Sequence, residues 1–441
     1  MKMQSERLAS EYKTKRIPYI SKQSFKYIII GNSAAGIAAV ESIRDIDQSG
    51  EITVFSKENY LAYSRPLIAE FISDRVTEKR MAYRYEDFYK LHRVNLHLGI
   101  KVTKIAPENK TIITDKKRSF SYDKLLIATG GTPIIPQVVG LDKKGVHTLI
   151  TWDDAKGIKK DIKGKKEAVI IGGGLIGMKA AECVHDAGIK VTIVELADHI
   201  LCTILDDYGS TIFEHHLESK GINLIMGNTV AEVSGKDRVR SVVLKDGTRL
   251  KCDLLIVAIG VKPNTEIIKG SGINTNKGIL IDRRMQTSVE DIYASGDVAE
   301  GYDMLINDRR VLALWPVAYR HGMIAGMNMA GSKREYEGGF PMSSLTVFDL
   351  STISVGLFNP ADKENYQTFT NTDGKVYKKM VFKGDVLVGA ILVNAIDRAG
   401  IYTGLIREQM PVDDKEMLIE DSFSLASLSE EWRKAKFTLP V

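Results

Sequence analysis

Cysteine is scarce in this sequence. Its 441 residues contain only three, Cys183, Cys202 and Cys252, and no two of them form a C-x2-C or C-x4-C pair. This scarcity argues against a small secreted fold held together by disulfides, and against a cysteine-rich metal or iron–sulfur site. No bound metal is predicted.

Long apolar runs and a strong net charge are also missing. No stretch of about 18 apolar residues occurs, so no insertion into a membrane is expected. Met1–Ser24 lacks the apolar core of a signal peptide, which makes the cytoplasm the expected compartment. The 61 Lys and Arg against 56 Asp and Glu leave a net charge of +5, too small to predict nucleic-acid binding without a concentrated basic face. The basic stretch Lys156–Lys166 is interpreted as a solvated face, with a docking patch for an acidic partner as the alternative.

Glycine, by contrast, occurs in a pattern that predicts a dinucleotide site near the N-terminus. The apolar run Phe25–Ile30 predicts a strand buried on both faces, and the turn Gly31–Gly36 follows it directly. A helix through Arg44 and a strand over Glu51–Phe55 complete a βαβ unit. Glycines in such a turn let the backbone approach a pyrophosphate closely, and the helix N-terminus offers it free N–H groups.

The same arrangement recurs 141 residues later. A strand over Ala168–Ile171, the turn Gly172–Gly177, a helix over Met178–Ala187 and a strand over Lys190–Glu195 follow one another. One glycine-rich turn is weak evidence, but two in this context predict two bound dinucleotides. Ser33 replaces the middle glycine of the first turn, and its side chain is small enough to allow the backbone to approach a pyrophosphate closely.

The remaining pattern predicts an α/β protein with two Rossmann-like dinucleotide-binding domains, the second inserted in the first, and an α+β C-terminal domain. The predicted boundaries are 1–24 for an N-terminal extension, 25–150 and 283–333 for the first domain, 151–282 for the second and 334–441 for the third with its tail. In the third domain we predict antiparallel strands over 351–357, 378–382 and 386–393, a helix over 399–408 and a short helical piece around 428–436. Residues 1–24 and 418–441 fit partner docking and disordered ends equally well.

The order of motifs resembles a known family. G-x-S-x-x-G, ATGGTP, GGGLIG, AIGVKPN and ASGD occur here as they do in the two-dinucleotide flavoproteins of the pyridine nucleotide-disulfide oxidoreductase superfamily, which have a glutathione-reductase-like fold. Tyr63-Ser64-Arg65-Pro66 is similar to the YxRP motif of rubredoxin reductases, nitrite reductase flavin domains and oxygenase ferredoxin reductases. The resemblance implies FAD on the first turn, NAD(P)H on the second and a C-terminal interface domain.

The resemblance also implies which residues hold the cofactors. For the adenosine ribose of FAD it leaves Ser56 or Glu58, of which Glu58 is preferred, while Asp297 would bind the ribityl–phosphate region and Trp315 would begin a helix facing the flavin. For FAD the implied set is Gly31, Ser33, Ala34, Ala35, Gly36, Ser56, Glu58, Arg65, Pro66, Thr129, Gly130, Asp297 and Trp315. For the nicotinamide dinucleotide it is Gly172, Gly174, Leu175, Ile176, Gly177, Glu195 and Gly260.

Glu195 predicts which nicotinamide dinucleotide is used. It ends its strand 23 residues after Gly172, and no arginine follows closely. A carboxylate at this position accepts hydrogen bonds from the ribose hydroxyls and repels a 2′-phosphate. We therefore expect NADH to be preferred over NADPH.

The missing thiols point to how electrons leave the flavin. Disulfide reductases of the superfamily carry C-x4-C after the ribose-binding strand, and related oxidases keep one cysteine in the region that reads Tyr63–Leu67 here. Electrons from NADH would therefore pass from the flavin directly to a rubredoxin, a ferredoxin or an iron–sulfur subunit. In the last case the protein would be the NADH-reacting subunit of a larger complex. A hydrogen-peroxide-forming NADH oxidase and a flavin-binding, redox-regulated interaction protein stay open as alternatives.

One departure from the family concerns two charged positions. Relatives with YxRP commonly carry Lys five residues after that Arg and Glu two residues after the second turn, and the two pair beside the flavin. Here the corresponding residues are Glu70 and Lys179, so the charges are exchanged. We hypothesise that Glu70 and Lys179 still pair there and act as the catalytic residues, because an unpartnered charge in a partly dry cleft is costly.

Overall fold

The structure, a computed structural model, describes residues 25–428 and Glu430. Its first part alternates strands and helices: β1 (Lys26–Ile30), α1 (Ala34–Ile46), β2 (Glu51–Phe55), α2 (Ile68–Ile72), α3 (Phe88–Leu91), β3 (Val94–His97), β4 (Val102–Ala106), β5 (Thr111–Thr114), β6 (Ser119–Ser121), β7 (Lys124–Ile127), β8 (Gly131–Pro133) and β9 (Val146–His147). β1 lies between β2 and β7 in parallel register, and four of its five residues are buried. An antiparallel meander, β4–β5–β6, stands beside this sheet.

The second part repeats the pattern. It consists of α4 (Trp152–Asp161), β10 (Glu167–Ile171), α5 (Leu175–Asp186), β11 (Lys190–Val194), α6 (Asp207–Ser219), β12 (Asn223–Ile225), β13 (Val230–Ser234), β14 (Ser241–Leu244), β15 (Arg249–Lys251), β16 (Leu254–Val257) and β17 (Val261–Pro263). The parallel sheet has the order β12-β11-β10-β16-β9, and β13–β14–β15 form the meander. This duplication confirms the predicted pair of dinucleotide-binding domains.

The chain then returns to the first domain. The elements are β18 (Ile279–Leu280), β19 (Ile292–Ala294), β20 (Ala299–Asp303), β21 (Asp308–Arg310) and α7 (Trp315–Met329). β19 adds to β7 and completes the order β19-β7-β1-β2-β3. A Cβ on Gly322 would stand 2.1 Å from the Ala35 carbonyl oxygen, and one on Gly326 would stand 2.6 Å from that of Ala39. These glycines therefore let α7 pack closely against α1.

Both predicted boundaries of the second domain were wrong. β9 pairs with β16, so the second sheet already includes residues 146–147, before the predicted start at 151. Ile267, Ile273 and Ile281 belong to the core of the first domain, so residues after β17 leave the second domain well before 282. The chain crosses between domains along the antiparallel ribbon β8–β17, a non-local pairing that motif spacing does not reveal.

The third domain is an antiparallel sheet with a helix on one face. Its elements are β22 (Met342–Val347), β23 (Leu350–Gly356), β24 (Gln367–Thr372), β25 (Tyr377–Lys383), β26 (Val386–Val393) and α8 (Ala399–Glu408), in the sheet order β22-β23-β26-β25-β24. The predicted strands and helix of this region are confirmed within one residue. The sequence pattern did not predict β22 or β24. Five of the six residues of β24 are exposed, so this strand lacks the alternation of apolar and polar residues that marks a half-buried strand.

The segment after α8 packs against the third domain. Leu418 and Phe423 are fully buried, Phe423 stacks on Tyr402, and Lys378 pairs with Asp421. The interpretation of 418–441 as a disordered end is therefore wrong for residues 418–428, whereas partner docking stays a prediction. The remaining tail, with most of the predicted helical piece, and the extension 1–24 lie outside the described residues apart from Glu430. No helix in the described part of the chain is long and apolar enough to cross a membrane.

Candidate functional site

The first glycine-rich turn is shaped by close backbone contacts. Gly31 has a φ of +131°, and a Cβ there would stand 2.0 Å from the carbonyl oxygen of Ala128 at the end of β7. α1 begins at Ala34, and its N-cap residue Ser33 makes no side-chain capping bond. The first turn of α1 therefore has backbone N–H groups without a side-chain partner, which is the arrangement that binds anions.

Gly36 brings α1 close to the first glycine-rich turn. A Cβ on Gly36 would stand 2.0 Å from the Gly31 carbonyl oxygen, and Gly36 does not line the cavity described below. It lets α1 pack against the turn, whereas Gly31, Ser33, Ala34 and Ala35 face the open space. The predicted contact between Gly36 and the pyrophosphate has no support in the cavity wall and stays a prediction.

A cavity of about 720 Å³ runs from this turn toward the second domain. The predicted residues in its wall are Gly31, Ser33, Ala34, Ala35, Ser56, Glu58, Arg65, Pro66, Thr129, Gly130, Asp297, Trp315 and, from the second domain, Ile176. Sequence reasoning missed Asn32, Lys57 and Tyr60 in the wall, and also the strand start at Lys101–Thr103. The last segment carries no recognisable motif, so only the meander β4–β5 brings it to the cavity.

Arg65 is fixed in the cavity wall by a local network. Its Nη1 donates to the carbonyl oxygen of Ile150 over 2.9 Å, and its guanidinium pairs with Glu58. The Tyr63 hydroxyl donates to Glu58 Oε2 over 2.6 Å, and burial raises the pKa of Tyr63. The Glu58 carboxylate thus already accepts hydrogen bonds from Arg65 and Tyr63. The Ser56 hydroxyl donates to the Glu58 backbone oxygen. The choice between Ser56 and Glu58 for the adenosine ribose stays a prediction.

Asp297 follows β19, an edge strand of the first sheet, and Trp315 begins α7, and both line the cavity. Burial raises the pKa of Asp297, and the charge of Arg65 opposes this rise. Trp315 is the first residue of α7, as predicted, and Tyr83 packs against its ring edge at a centroid distance of 5.0 Å. The N-terminus of this 15-residue helix therefore faces the cavity.

Asn264 ties the two crossing strands together beside the cavity. Its Nδ2 donates to the Thr129 carbonyl oxygen over 2.8 Å, and its Oδ1 accepts from Thr132 Oγ1 over 2.6 Å. Thr129 Oγ1 in turn donates to the Asn264 carbonyl oxygen. Gly130, with a φ of +65°, has no atom within 4 Å of a Cβ position, so it opens to the cavity. Asn264 ends the AIGVKPN motif, which was the signal that could have identified it.

The second turn has the same construction as the first. A Cβ on Gly172, which has a φ of +105°, would stand 2.4 Å from the Ala258 carbonyl oxygen, and one on Gly177 would stand 1.9 Å from that of Gly172. Gly177 therefore allows α5 to pack on the turn. Gly174 faces open space, and Leu175 begins α5.

Glu195 reaches back to this second turn. Its Oε2 accepts from the Gly173 N–H over 2.5 Å, and its Oε1 accepts from the Ala197 N–H over 2.8 Å. Gly260 has a φ of +116° and lies against Ile134. The large cavity is lined by Ile176 but not by Gly172, Gly174, Leu175, Gly177, Glu195 or Gly260, so their binding role stays a prediction.

The predicted pair of Glu70 and Lys179 forms, with Lys179 Nζ 3.1 Å from Glu70 Oε1. Neither residue lines the cavity, although Ile68 and Ile176, slightly earlier on the same two helices, do. The placement of the pair in contact with the flavin therefore has no support in the cavity wall.

None of the three cysteines lines the cavity. Cys183 and Cys252 are buried, and burial raises the pKa of each thiol to about 12. Cys202 is exposed, and partial desolvation and then the charge of Glu195 raise its pKa. Because the thiolate is the reactive form, all three are poor nucleophiles. Within the described residues, no group of three or more His, Cys, Asp or Glu side chains is arranged to hold a metal ion.

Comparison with known proteins identifies the family. Residues 25–322 match the pyridine nucleotide-disulphide oxidoreductase family, and residues 341–410 match the rubredoxin NAD+ reductase C-terminal domain. The chain therefore belongs to the pyridine nucleotide-disulphide oxidoreductase family. The predicted resemblance and fold class are confirmed.

Three relatives illustrate the range of the family. The epsilon subunit of the NADH-dependent phenylglyoxylate dehydrogenase of Aromatoleum evansii is 33% identical over 86% of this chain and 91% of its own length. The NADH-rubredoxin oxidoreductase of Clostridium acetobutylicum is 30% identical over 87% of this chain and 97% of its own. A solved structure of NADH:rubredoxin oxidoreductase from that organism covers 89% of this chain and 97% of its own, with a TM-score of 0.73 at 28% identity. The nitrite reductase [NAD(P)H] of Bacillus subtilis is 32% identical over 88% of this chain, but the chain spans about half, 48%, of that protein.

Proposed function

We propose that this protein is an FAD-dependent NADH oxidoreductase that passes electrons to a one-electron acceptor protein or an iron–sulfur subunit. One observation carries the proposal. A single cavity extends from the first glycine-rich turn to α5, the helix that follows the second glycine-rich turn. None of the three cysteines lines this cavity. Membership of a family of FAD- and NADH-dependent oxidoreductases supports the two cofactors.

The residues of the cavity fit FAD. Its volume of about 720 Å³ lies in the range of sites for large ligands, and the N-terminus of α1, where the Ser33 side chain makes no capping bond, offers backbone N–H groups to a pyrophosphate. Ser33, Ala34 and Ala35 would hold the phosphates, Thr129 and Gly130 would line the flavin, and Asp297 would bind the ribityl region. When bound, FAD accepts a hydride from a nicotinamide and can release the two electrons singly.

Charged groups of the chain set the electrostatics of this cavity. Arg65, held by Glu58 and by the Ile150 carbonyl oxygen, keeps a positive charge in the wall. The N-terminus of α7 at Trp315 adds a partial positive charge. Both stabilise negative charge that develops inside the cavity. Burial raises the pKa of Asp297, so its carboxyl group is easier to protonate than an exposed one.

The second turn would hold NADH. Gly174 leaves space for the pyrophosphate at the N-terminus of α5, and Glu195 lies beside the turn where a ribose would lie. Ile176, which reaches the large cavity from the same helix, is placed to contact the nicotinamide end.

The missing thiol and the relatives support a protein acceptor. Because none of the three cysteines lines the cavity, no pair of thiols is present there to carry electrons from the flavin to an acceptor. The match of residues 341–410 to the rubredoxin NAD+ reductase C-terminal domain and the Clostridium relative support a small redox protein as acceptor. The Aromatoleum relative supports the reading of an NADH-reacting subunit within a larger enzyme.

Anaerobic kinetics test this proposal. NADH is expected to bleach the bound flavin, and ferricyanide or an oxidised rubredoxin is expected to restore its colour at least about tenfold faster than oxygen does. Oxidised glutathione serves as the control, because it requires a thiol relay and should not be reduced. Fastest reoxidation by oxygen, with one hydrogen peroxide per NADH, would contradict the proposal and identify an oxidase.

A further inference from the structure

Five charged side chains form a cluster behind the cavity wall, here called the α2–α5 cluster: Glu70, Arg75, Lys179, Glu182 and Asp186. Arg75 reaches three carboxylates: its Nε is 2.8 Å from Glu70, and its Nη2 is 3.3 Å from Glu182 and 3.2 Å from Asp186. Lys179 Nζ lies 3.1 Å from Glu70 and 2.8 Å from Glu182. The pair inferred from sequence is therefore part of a larger network of two cations and three carboxylates.

Glu182 is the centre of this cluster. Its side chain is 7% exposed, and it accepts hydrogen bonds from Lys179 Nζ and, over 3.1 Å, from the backbone N–H of Phe348. Burial alone would raise its pKa, but the bonds from Lys179 and Phe348 hold the pKa of Glu182 below its usual value. A buried carboxylate in this state is ionised, and removing its charge leaves both cations short of a partner.

Lys179 has no hydrogen-bond donor left for a ligand. Its ammonium group carries three N–H bonds, and three acceptors surround it: Glu70, Glu182 and the Thr346 carbonyl oxygen, at 3.1, 2.8 and 3.0 Å. A lysine in this position anchors protein groups to each other and does not offer its proton to a substrate.

The cluster joins three parts of the molecule. Glu70 and Arg75 come from the first domain, Lys179 and Glu182 from α5 of the second, and Thr346 and Phe348 from the β22–β23 hairpin of the third. The hairpin tip is strained, since Phe348 and Asp349 both have positive φ, at 48° and 68°. His216 of α6 also holds this tip, because its Nε2–H donates a hydrogen bond to the Phe348 carbonyl oxygen over 2.6 Å.

Two residues connect the cluster to the cavity. Ile68 precedes Glu70 by two positions and Ile176 precedes Lys179 by three, and both line the cavity from opposite domains. We propose that the α2–α5 cluster is a clamp that fixes the spacing of these two walls, and that Glu182 is a positioning residue for hydride transfer. The rate consequence rests on the proposed function, whereas the clamp itself does not.

The clamp makes a prediction about charge exchange that a simple pair does not. In an isolated pair, the double change Glu70→Lys with Lys179→Glu restores the attraction. Here it would place an ammonium group beside Arg75 and a carboxylate beside Glu182, where distances of 2.8 Å now join opposite charges. We expect the double exchange to be at least as damaging as either single change.

Stopped-flow reduction of the FAD-loaded protein by NADH tests the clamp. For Glu182→Gln we expect the limiting rate of flavin reduction to fall at least about tenfold, because misplacement of reacting groups is costly. The Kd for NADH and the reduction potential of the flavin should not change. Arg75→Met, at a more exposed residue, should show the same pattern and serves if Glu182→Gln does not fold.

The matched control is Lys379→Met. Lys379 also makes a buried ion pair across domains, 2.7 Å from Asp206, but it joins only the second and third domains. This variant should lose thermal stability without slowing flavin reduction. Hydrogen exchange adds a readout that needs no cofactor: Glu182→Gln should speed exchange in both residues 68–75 and 346–350, and Lys379→Met should not affect residues 68–75.

The outcomes separate the clamp from the proposed function. A shift in flavin potential in Glu182→Gln, an unchanged rate of reduction, recovery by the double exchange, or unchanged hydrogen exchange would each overturn the clamp. Failure of NADH to reduce the flavin in the native protein would instead overturn the proposed function, and hydrogen exchange would then decide the clamp alone.

Discussion

Replacing Gly36 with alanine is expected to abolish retention of FAD. The new Cβ would stand 2.0 Å from the Gly31 carbonyl oxygen, a backbone atom that cannot turn aside as the end of a flexible side chain could. α1 would have to shift off the sheet, carrying its N-terminus away from the cavity. We expect a loss of at least about 3 kcal/mol in stability, as for severe overpacking.

The measurement is the ratio of FAD to protein after gel filtration, together with the thermal unfolding midpoint. Gly400→Ala is the matched control, because Gly400 also lies within a helix but has no atom within 4 Å of its Cβ position. That change should be neutral or slightly stabilising, since alanine favours the helix. A Gly36→Ala protein with full FAD and an unchanged midpoint would show that the turn is not built as described.

The second large effect concerns the choice of nicotinamide dinucleotide. Replacing Glu195 with serine and Leu196 with arginine is expected to move the ratio of kcat/KM for NADH over NADPH by about 100-fold or more toward NADPH. The change removes an acceptor for the ribose hydroxyls, removes its repulsion of a 2′-phosphate and adds a cation, and hydrogen bonds to charged groups are each worth about 1.5–3 kcal/mol. Leu196 is exposed, so an arginine there fits without repacking the core.

Asp198→Ser is the control for this switch. Asp198 is a carboxylate three residues away, almost fully exposed, and it contacts only His199 among the ion pairs of the described residues. Removing it also takes away one carboxylate near the turn, but it should leave the preference near that of the native protein. A native protein that already prefers NADPH would contradict the assigned role of Glu195.

Local patterns in the sequence were sufficient to predict much of the fold. The two glycine-rich turns, the helix start at Trp315 and three strands of the third domain follow from short runs of apolar residues and turn residues. These features depend on neighbours in the chain, so their sequence signals are strong. The position of Glu195 at the second turn also follows, because parallel strands end at one edge of a sheet.

Most features that depend on distant contacts could not be predicted. The close approach of Gly36 and Gly177 to the carbonyl oxygens of Gly31 and Gly172 was not foreseen, because a motif does not show which atoms stand near a Cβ position. The exception is the pairing of Glu70 with Lys179, 109 residues apart, which was predicted from their exchanged charges. Glu182 was missed because its partners Arg75 and Phe348 lie 107 and 166 residues away in the chain.

The central claim is that electrons leave the cavity without a thiol. It is tested most directly by anaerobic, NADH-driven reduction of ferricyanide by the cysteine-free protein Cys183→Ala, Cys202→Ser, Cys252→Ala, loaded with FAD and shown to be folded by its unfolding midpoint. Because none of these thiols lines the cavity, we predict a rate close to that of the native protein. A folded, FAD-containing protein that is reduced by NADH but no longer reduces ferricyanide, and recovers when one cysteine is restored, would contradict the account.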